Sequence, residues 1–503
     1  MTADPATPPR QPLEAEHLDA IVERADAAAS EFTAMADSIW DDPEMRWEEF
    51  RAQDKHQAAA RAHGFTITEA VGGIPTAFSA HRGTSGPIIA FLGEYDALAD
   101  ISQEAGNPAR TPDPANTSGD GHGCHHHLLG SGALMAAVIT AEYFEAAGIE
   151  AQVRYYGCPA EEAAAGKTFM VQSGAFDDVD AAVTWHPFPT TNARQHLTLS
   201  YSQVYFHYTG LAAHAGAMPH LGRSALDAVE LLNVGTNFLR EHMPDSARVH
   251  YAITDAGGRS ANVVQAHASV YYVVRAEDTQ QMQDLYERVV KIARGAELMT
   301  ETELEIEFDG ACAEVLPNEA LEHALDGVLN QLGPVPFDAD DQAAAAGFAV
   351  SLDDRAIAEA KRNVGWAADD KRAIHDDIAP FHPDMPRNQG TGSTDVGDVS
   401  WVVPTVQISS STAALGTPFH AWQTVAQGKL PSAHKGMIHA AKSMAATATA
   451  IATNPQLLAD AQREHGQIMA KTPYLPPIPD GVVAPPLRKD GRSAGQQGPA
   501  RRS

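Results

Sequence analysis

The sequence predicts an α/β fold: a mostly parallel mixed sheet flanked by helices, interrupted by a smaller βαββαβ unit. Three observations predict it. Over residues 16–196, short apolar runs alternate with helical stretches, the pattern of a sheet built from strand–helix–strand units. Over 197–311 the spacing changes to strand, helix, two strands, helix, strand, the order of a ferredoxin-like sandwich. The chain is 503 residues long, too long for one simple core, and 312–472 reads as the return of the first sheet.

Each element has its own signal. Leu18 to Phe50 carries apolar residues at helical spacing. Pro87–Phe91 (PIIAF) is a short buried strand, followed by the polar turn GEYDALAD. Residues 101–120 are rich in Gly, Pro and Asn and read as a loop, after which GHGCHHHLLG leads into the helix Leu128–Ala147. Gln152–Gly157 and Ala181–Trp185 are strands that end at CPAEE and HP. In the inserted unit, Leu197–Tyr208 alternates like a half-exposed strand, Ala225–His242 and Thr279–Met299 are helices, and Val249–Thr254, Ala268–Arg275 and Glu303–Phe308 are strands. The chain rejoins the large sheet near Leu316. Residues 336–390, rich in Ala and Asp, form an excursion without a clear assignment, and 1–15 and 473–503 are Pro-rich tails.

Composition excludes several classes. With 35 Lys and Arg against 65 Asp and Glu, the net charge is −30, which speaks against nucleic acid and anionic membrane surfaces as partners. There is no run of about 18 apolar residues, so no membrane span is expected. The first residues lack a basic start followed by an apolar stretch, and three cysteines cannot close a disulfide framework. A cytoplasmic protein is expected.

Four segments carry donors suited to a metal ion. GHGCHHH (121–127) offers His122, Cys124, His125, His126 and His127, and cysteine with histidine suits zinc-like metals. PAEE (159–162) puts two carboxylates, Glu161 and Glu162, in one loop. One can bind a metal while the other takes a proton from water. TWHP ends an apolar strand with His186, and GTPFHAW fixes His420 behind a Gly-Thr-Pro turn. Singly, each fits a polar loop or a structural histidine. Together they supply Cys, His, Glu, His and His, plus a spare Glu, beyond the C-terminal ends of strands in one sheet, where ligands bind in such folds. No G-x-S-x-G elbow and no Pro-Cys-x-x-Cys deaminase motif is present.

These segments, with FLGEYDALA, AAHA, PHLGRSALDAV, ARVHYAIT, STDVGDVSW and AHKGM, resemble the aminoacylase- and carboxypeptidase-type dinuclear metallohydrolases, and within them the amidohydrolase branch. The resemblance spans almost the whole chain. It implies a zinc-peptidase-like catalytic domain with an inserted lid or dimerisation domain. It implies two divalent metal ions, zinc or manganese, held by Cys124, His126, Glu162, His186 and His420, with Cys124 bridging. Glu161 is then the general base. His214 in GLAAHAG reaches a partner subunit's site to stabilise an oxyanion, and Asn262 and Arg275 hold the substrate's carboxylate. The expected reaction is cleavage of the amide of an N-acyl amino acid, such as a p-aminobenzoyl-glutamate-like conjugate. A dipeptidase acting on small or β-amino dipeptides and a non-catalytic partner subunit are the alternatives. A homodimer is expected, with a hetero-oligomer with a related subunit as the other assembly. The sequence departs from the family where Cys-Gly-His is followed by Asp or Asn: here His125 replaces Gly and His127 the polar residue, so two further possible ligands stand in the same motif.

Overall fold

The computed structural model describes residues 13–484, apart from Ala164, His196, Asp384, Pro386 and Asn388. Of the two expected tails, 1–12 and 485–503 lie outside the described residues. In chain order, the first part holds α1 (Ala15–Trp40), α2 (Phe50–Ala62), β1 (Thr66–Glu69), β2 (Phe78–Arg82), β3 (Ile88–Glu94), α3 (His126–Ala147), β4 (Gln152–Cys158), α4 (Gly166–Gln172), β5 (Ala181–Phe188) and β6 (Asn192–Ala193). The middle part is β7 (Ser200–Thr209), α5 (Ala225–Leu239), β8 (Arg248–Asp255), β9 (His267–Ala276), α6 (Thr279–Thr300) and β10 (Glu303–Cys312). The last part is α7 (Glu319–Leu332), α8 (Ala339–Phe348), α9 (Asp354–Asn363), α10 (Val396–Val402), β11 (Thr405–Ser411), α11 (Trp422–Gln427), α12 (Pro431–Thr453) and α13 (Pro455–Met469).

The large sheet has the order β1-β2-β4-β3-β5-β11-β6. Its four central strands, β4, β3, β5 and β11, run parallel, and the flanking pairings are antiparallel. The parallel strands are largely buried on both faces, as in a sheet covered on both sides. In β3, Ile89 and Phe91 join the core under α1, α3 and α12, while Ala90 and Leu92 join the core under α4 and α10. α3 is apolar all round, with a mean hydropathy of 1.2 over an 18-residue stretch that is 94 % buried, so it is the central core helix. The expected helix Leu18–Phe50 is broken: α1 stops at Trp40, because Pro43 cannot continue it, and α2 begins at Phe50.

The second sheet has the order β10-β7-β9-β8, all antiparallel, with α5 and α6 on one face. β9 alternates buried and half-exposed residues along its length. β7 does not alternate as the sequence suggested. Val204, Phe206 and Tyr208 face the helices, while Tyr201, Gln203 and Tyr205 are also buried, Gln203 donating to the Ala163 carbonyl of the large part at 2.7 Å. β7 and β9 are inner strands, so the edges of this sheet are β10 and the largely exposed β8. The excursion 336–390 supplies α8 and α9, and Phe348 and Ile374 pack with Ala414, Ala426 and Trp422 around the His420 loop. Residues 473–484 are held to the core: Tyr474 donates to Asp398 at 2.7 Å and Ile478 is buried.

Candidate active site

The parallel strands deliver the site. Glu94 ends β3 in register with Cys158 at the end of β4, and Glu161 and Glu162 follow in the next turn. His186 lies near the end of β5, opposite Ser409 of β11, and the chain after β11 turns back to His420. Cys124 and His126 come from the start of α3. Two glycines permit the closeness. A Cβ on Gly123 would lie 2.5 Å from Ile101 Cδ1 and 3.3 Å from His420 Cα, where the His420 N–H donates to the Gly123 carbonyl at 2.8 Å. A Cβ on Gly130 would lie 2.5 Å from the Glu94 carbonyl, so α3 can press against the end of β3.

Three groups of donors converge: Cys124, His126 and His186; Cys124, Glu162 and His420; Glu94, His126 and Glu161. Within each, the donor atoms lie within 4.8 Å of one another. Cys124 Sγ is 3.5 Å from His186 Nε2, and His420 Nε2 is 3.3 Å from Glu162 Oε2. Two oxygen or nitrogen ligands at about 2.1 Å from one tetrahedral ion stand roughly 3.4 Å apart, so the His420–Glu162 spacing is that of shared ligands. His126 Nε2 and Glu162 Oε1 are buried without a hydrogen bond, as donors awaiting an ion would be. The thiolate, imidazoles and carboxylates fit divalent metals of the zinc kind.

The five expected ligands and Glu161 are thus brought together. His125 and His127 are directed elsewhere. His125 bonds to Thr412 Oγ1 at 3.2 Å and the Thr424 carbonyl at 2.6 Å, and His127 to the Gly428 carbonyl at 3.0 Å. His125 adopts φ 58°, the left-handed backbone that glycine favours. His214, Asn262 and Arg275 belong to the inserted part. His214 is exposed, and its loop runs beside Asn262, whose carbonyl accepts from the Ala215 N–H at 2.9 Å. Arg275 lies over the Tyr201 ring at 5.0 Å and donates to Ser393 Oγ at 3.2 Å.

Four residues escaped the sequence reading. Asp96 accepts from His126 Nδ1 at 2.7 Å and from the Glu162 N–H at 2.8 Å, so one carboxylate orients two of the expected ligands. Glu94, Lys167 and Asp395 form a buried ionic group: Lys167 Nζ is 2.7 Å from Glu94 Oε1 and 2.5 Å from Asp395 Oδ1. The signal was present in GEYDALAD, two acids directly after a buried parallel strand, and in a lysine within the apolar run AGKTFM. Electrostatics follow from burial. The Cys124 thiol is pushed up to about 12, first by burial and then by the Glu162 charge. Glu162 is pushed up to about 8 by burial, against the pull of His126. Glu161 is held well above the carboxylate range by burial and by Glu94. Asp96 is held below its usual value: burial raises it, but the charge and hydrogen bond of His126, the Glu162 N–H and the Lys167 charge together more than offset that.

Residues 201–298 match the peptidase dimerisation domain model. The chain is 45 % identical to a subunit of the p-aminobenzoyl-glutamate hydrolase of Escherichia coli (strain K12) over 92 % of this chain and 98 % of that one. It is 28 % identical to the Xaa-Arg dipeptidase of Mus musculus over 88 % of this chain and 90 % of that one. The crystal structure of a putative aminohydrolase from methicillin-resistant Staphylococcus aureus shares the fold, with a TM-score of 0.58 at 14 % identity, covering 86 % of this chain and 98 % of that one. Given identity of that degree along nearly the whole of both chains, this protein belongs to the aminoacylase- and carboxypeptidase-type metallohydrolases, in the amidohydrolase branch that holds p-aminobenzoyl-glutamate hydrolase, and is a metal-dependent amidohydrolase.

Proposed function

We propose that this chain hydrolyses the amide bond of a p-aminobenzoyl-glutamate-like conjugate, with Cys124, His126, Glu162, His186 and His420 as ligands of two zinc or manganese ions and Glu161 as general base. The observation that carries the chemistry is Glu161 itself. It is a buried carboxylate whose Oε2 lies 3.8 Å from His126 Nε2, beside the donor cluster but outside the expected ligand set. Bound divalent metals supply a polarised carbonyl and a water acidic enough to be deprotonated near neutral pH. Glu161 would take the proton of the attacking water as the water oxygen bonds to the amide carbon. The carbon–nitrogen bond then breaks, and Glu161 returns the proton to the leaving amine, giving a carboxylic acid and an amino acid.

His214 of a partner subunit is the proposed oxyanion donor. Its Nδ1 accepts from the Gly216 and Ala217 N–H groups at 3.2 and 3.1 Å, which leaves the hydrogen on the exposed Nε2. Asn262 and Arg275 are the proposed anchors of the substrate's carboxylate. The domain division we propose runs 16–196 and 312–472 for the catalytic part and 197–311 for the lid. A homodimer through the lid is the assembly. The Escherichia coli relative is one subunit of a hydrolase whose other subunit is also similar to this chain, which favours a hetero-oligomer as the second form. Three free, buried cysteines suit a reducing cytoplasm. The test is a metal-loaded, purified chain assayed on p-aminobenzoyl-glutamate and on Xaa-Arg dipeptides. Release of p-aminobenzoate at the higher kcat/KM is expected. Turnover of dipeptides alone selects the dipeptidase reading, and no turnover of either by the metal-loaded chain selects the non-catalytic subunit.

A further inference from the structure

We propose that Glu94 is a further donor to the metal centre, aimed at it by the buried Lys167–Asp395 pair; this rests on the metal-centre reading above. Glu94 closes β3 on the face that carries Ala90 and Leu92, which is why α4 with Lys167 and the start of α10 with Asp395 meet it. Its side chain is 2 % exposed, and those of Lys167 and Asp395 are fully buried. The two oxygens of Glu94 have different surroundings. Oε1 is fixed on Lys167 Nζ at 2.7 Å. Oε2 makes no hydrogen bond and points to His126 Nε2 at 3.5 Å, a nitrogen that also makes none. His126 cannot turn that nitrogen away, because Nδ1 is held on Asp96 at 2.7 Å.

Distance and charge both favour an ion between them. The 3.5 Å gap is long for a hydrogen bond and close to the roughly 3.4 Å between two oxygen or nitrogen ligands of one tetrahedral ion. The buried group of Glu94, Asp395 and Lys167 holds two carboxylates against one ammonium. An uncompensated buried carboxylate is expensive, and a dication beside Oε2 balances it. A purely structural ion pair gives no reason for one oxygen to be left bare towards the donor cluster. Lys167 and Asp395 are therefore positioning residues, which hold Glu94 with one oxygen free.

The test uses the full chain, stripped by chelator and titrated with zinc. Metal content is read by elemental analysis, affinity by chelator competition, and the rise in Tm on metal addition is recorded separately from the Tm of the stripped protein. The variants are Glu94→Gln, which removes the charge, and Glu94→Asp, which keeps the charge on Lys167 but withdraws the carboxylate by one methylene. Wild type is expected to take up two ions. Each folded variant is expected to bind one of them at least about tenfold more weakly, with a smaller metal-dependent rise in Tm. Wild-type affinity for both ions in either folded variant overturns the proposal, even where the stripped variant is less stable, since that result marks a structural ion pair only. A wild-type chain that takes up no metal would instead overturn the metal-centre reading.

Discussion

A carboxylate serves as a base for water only if it is close to that water and holds a proton well enough to keep it until the amine leaves. Glu161 lies beside His126, and burial with the neighbouring charge of Glu94 raises its hold on a proton. Glu161→Gln keeps the size and burial of the side chain but cannot accept a proton. The expected outcome is unchanged metal content and fold with kcat lower by about 10²–10⁴-fold; a variant within threefold or so of wild type would remove Glu161 from the mechanism. That Glu161 and Glu162 both belong to the donor cluster was legible from the PAEE pair itself, because two adjacent acids at a strand end need a reason. The role of Asp96 was not, since a local polar turn and a buried bracket between His126 and Glu162 look alike until the strands are placed. Histidines outside the donor cluster set a different dependence. Burial pulls His56 and His439 down to about 4, and both are neutral in the fold, His439 donating to the Gly333 carbonyl at 2.8 Å. Their folded pKa values lie below the unfolded value near 6.5, so the unfolded chain takes up protons first. Their contribution is intact above that pH and is lost as pH falls towards 4, at roughly 1 kcal/mol per histidine for each pH unit. Urea midpoints between pH 7 and 5 should fall accordingly, and His439→Gln, which keeps a donor for Gly333, should flatten the slope.

At the scale of elements, the start of α3 joins stability to chemistry. The helix must begin so that His126 enters the cluster while the preceding residue turns into the left-handed region, and that residue is His125 at φ 58°, ψ 29°. A side chain there costs backbone strain of the order of 1 kcal/mol relative to glycine. Its bond to the buried Thr424 carbonyl offsets that cost. The two effects separate in a pair of variants. His125→Ala loses the bond and keeps the strain; His125→Gly loses the bond and the strain together. Both should be less stable than wild type, with the glycine variant the more stable of the two by about 1 kcal/mol in chemical denaturation. An alanine variant equal to the glycine one would show that the backbone is not strained. The sequence made the helix, strand and loop assignments around α3 legible because each has a clear period or a cluster of turn residues. It could not tell that Leu197–Tyr208 is buried on both sides. Alternation reports one face against helices, whereas the second face of β7 is covered by residues more than thirty positions away, such as Ala163. It was silent on 336–390 because α8 and α9 are short and alanine-rich, and their placement against the His420 loop is a matter of tertiary contact.

At the scale of the molecule, the question is how a histidine on the insert could serve a site built on the large sheet. β8 is the outer strand of the inserted sheet, with Tyr251 and Ile253 partly exposed and its outward backbone groups free of strand partners among the described residues. Such an edge invites pairing with a second copy about a two-fold axis. His214 lies in the same inserted part, joined by a bridge to Val263 on the β8–β9 connection, and presents Nε2–H outward. Pairing through β8 would carry this loop towards the other copy. If His214 acts there, His214→Ala should lower kcat far more than it raises KM, because an oxyanion exists mainly in the transition state. Complementation is the sharper measurement. A dimer of one His214→Ala chain and one Glu161→Gln chain has one site with both groups intact and one with neither. Mixing the two inactive variants in equal amounts, with subunit exchange verified by mass-tagged chains, should restore about a quarter of wild-type activity, since half the dimers are mixed and each has one working site. A histidine that served its own subunit's site would leave every site in the mixture lacking one group. Exchanged mixtures as inactive as either parent would therefore return His214 to its own chain.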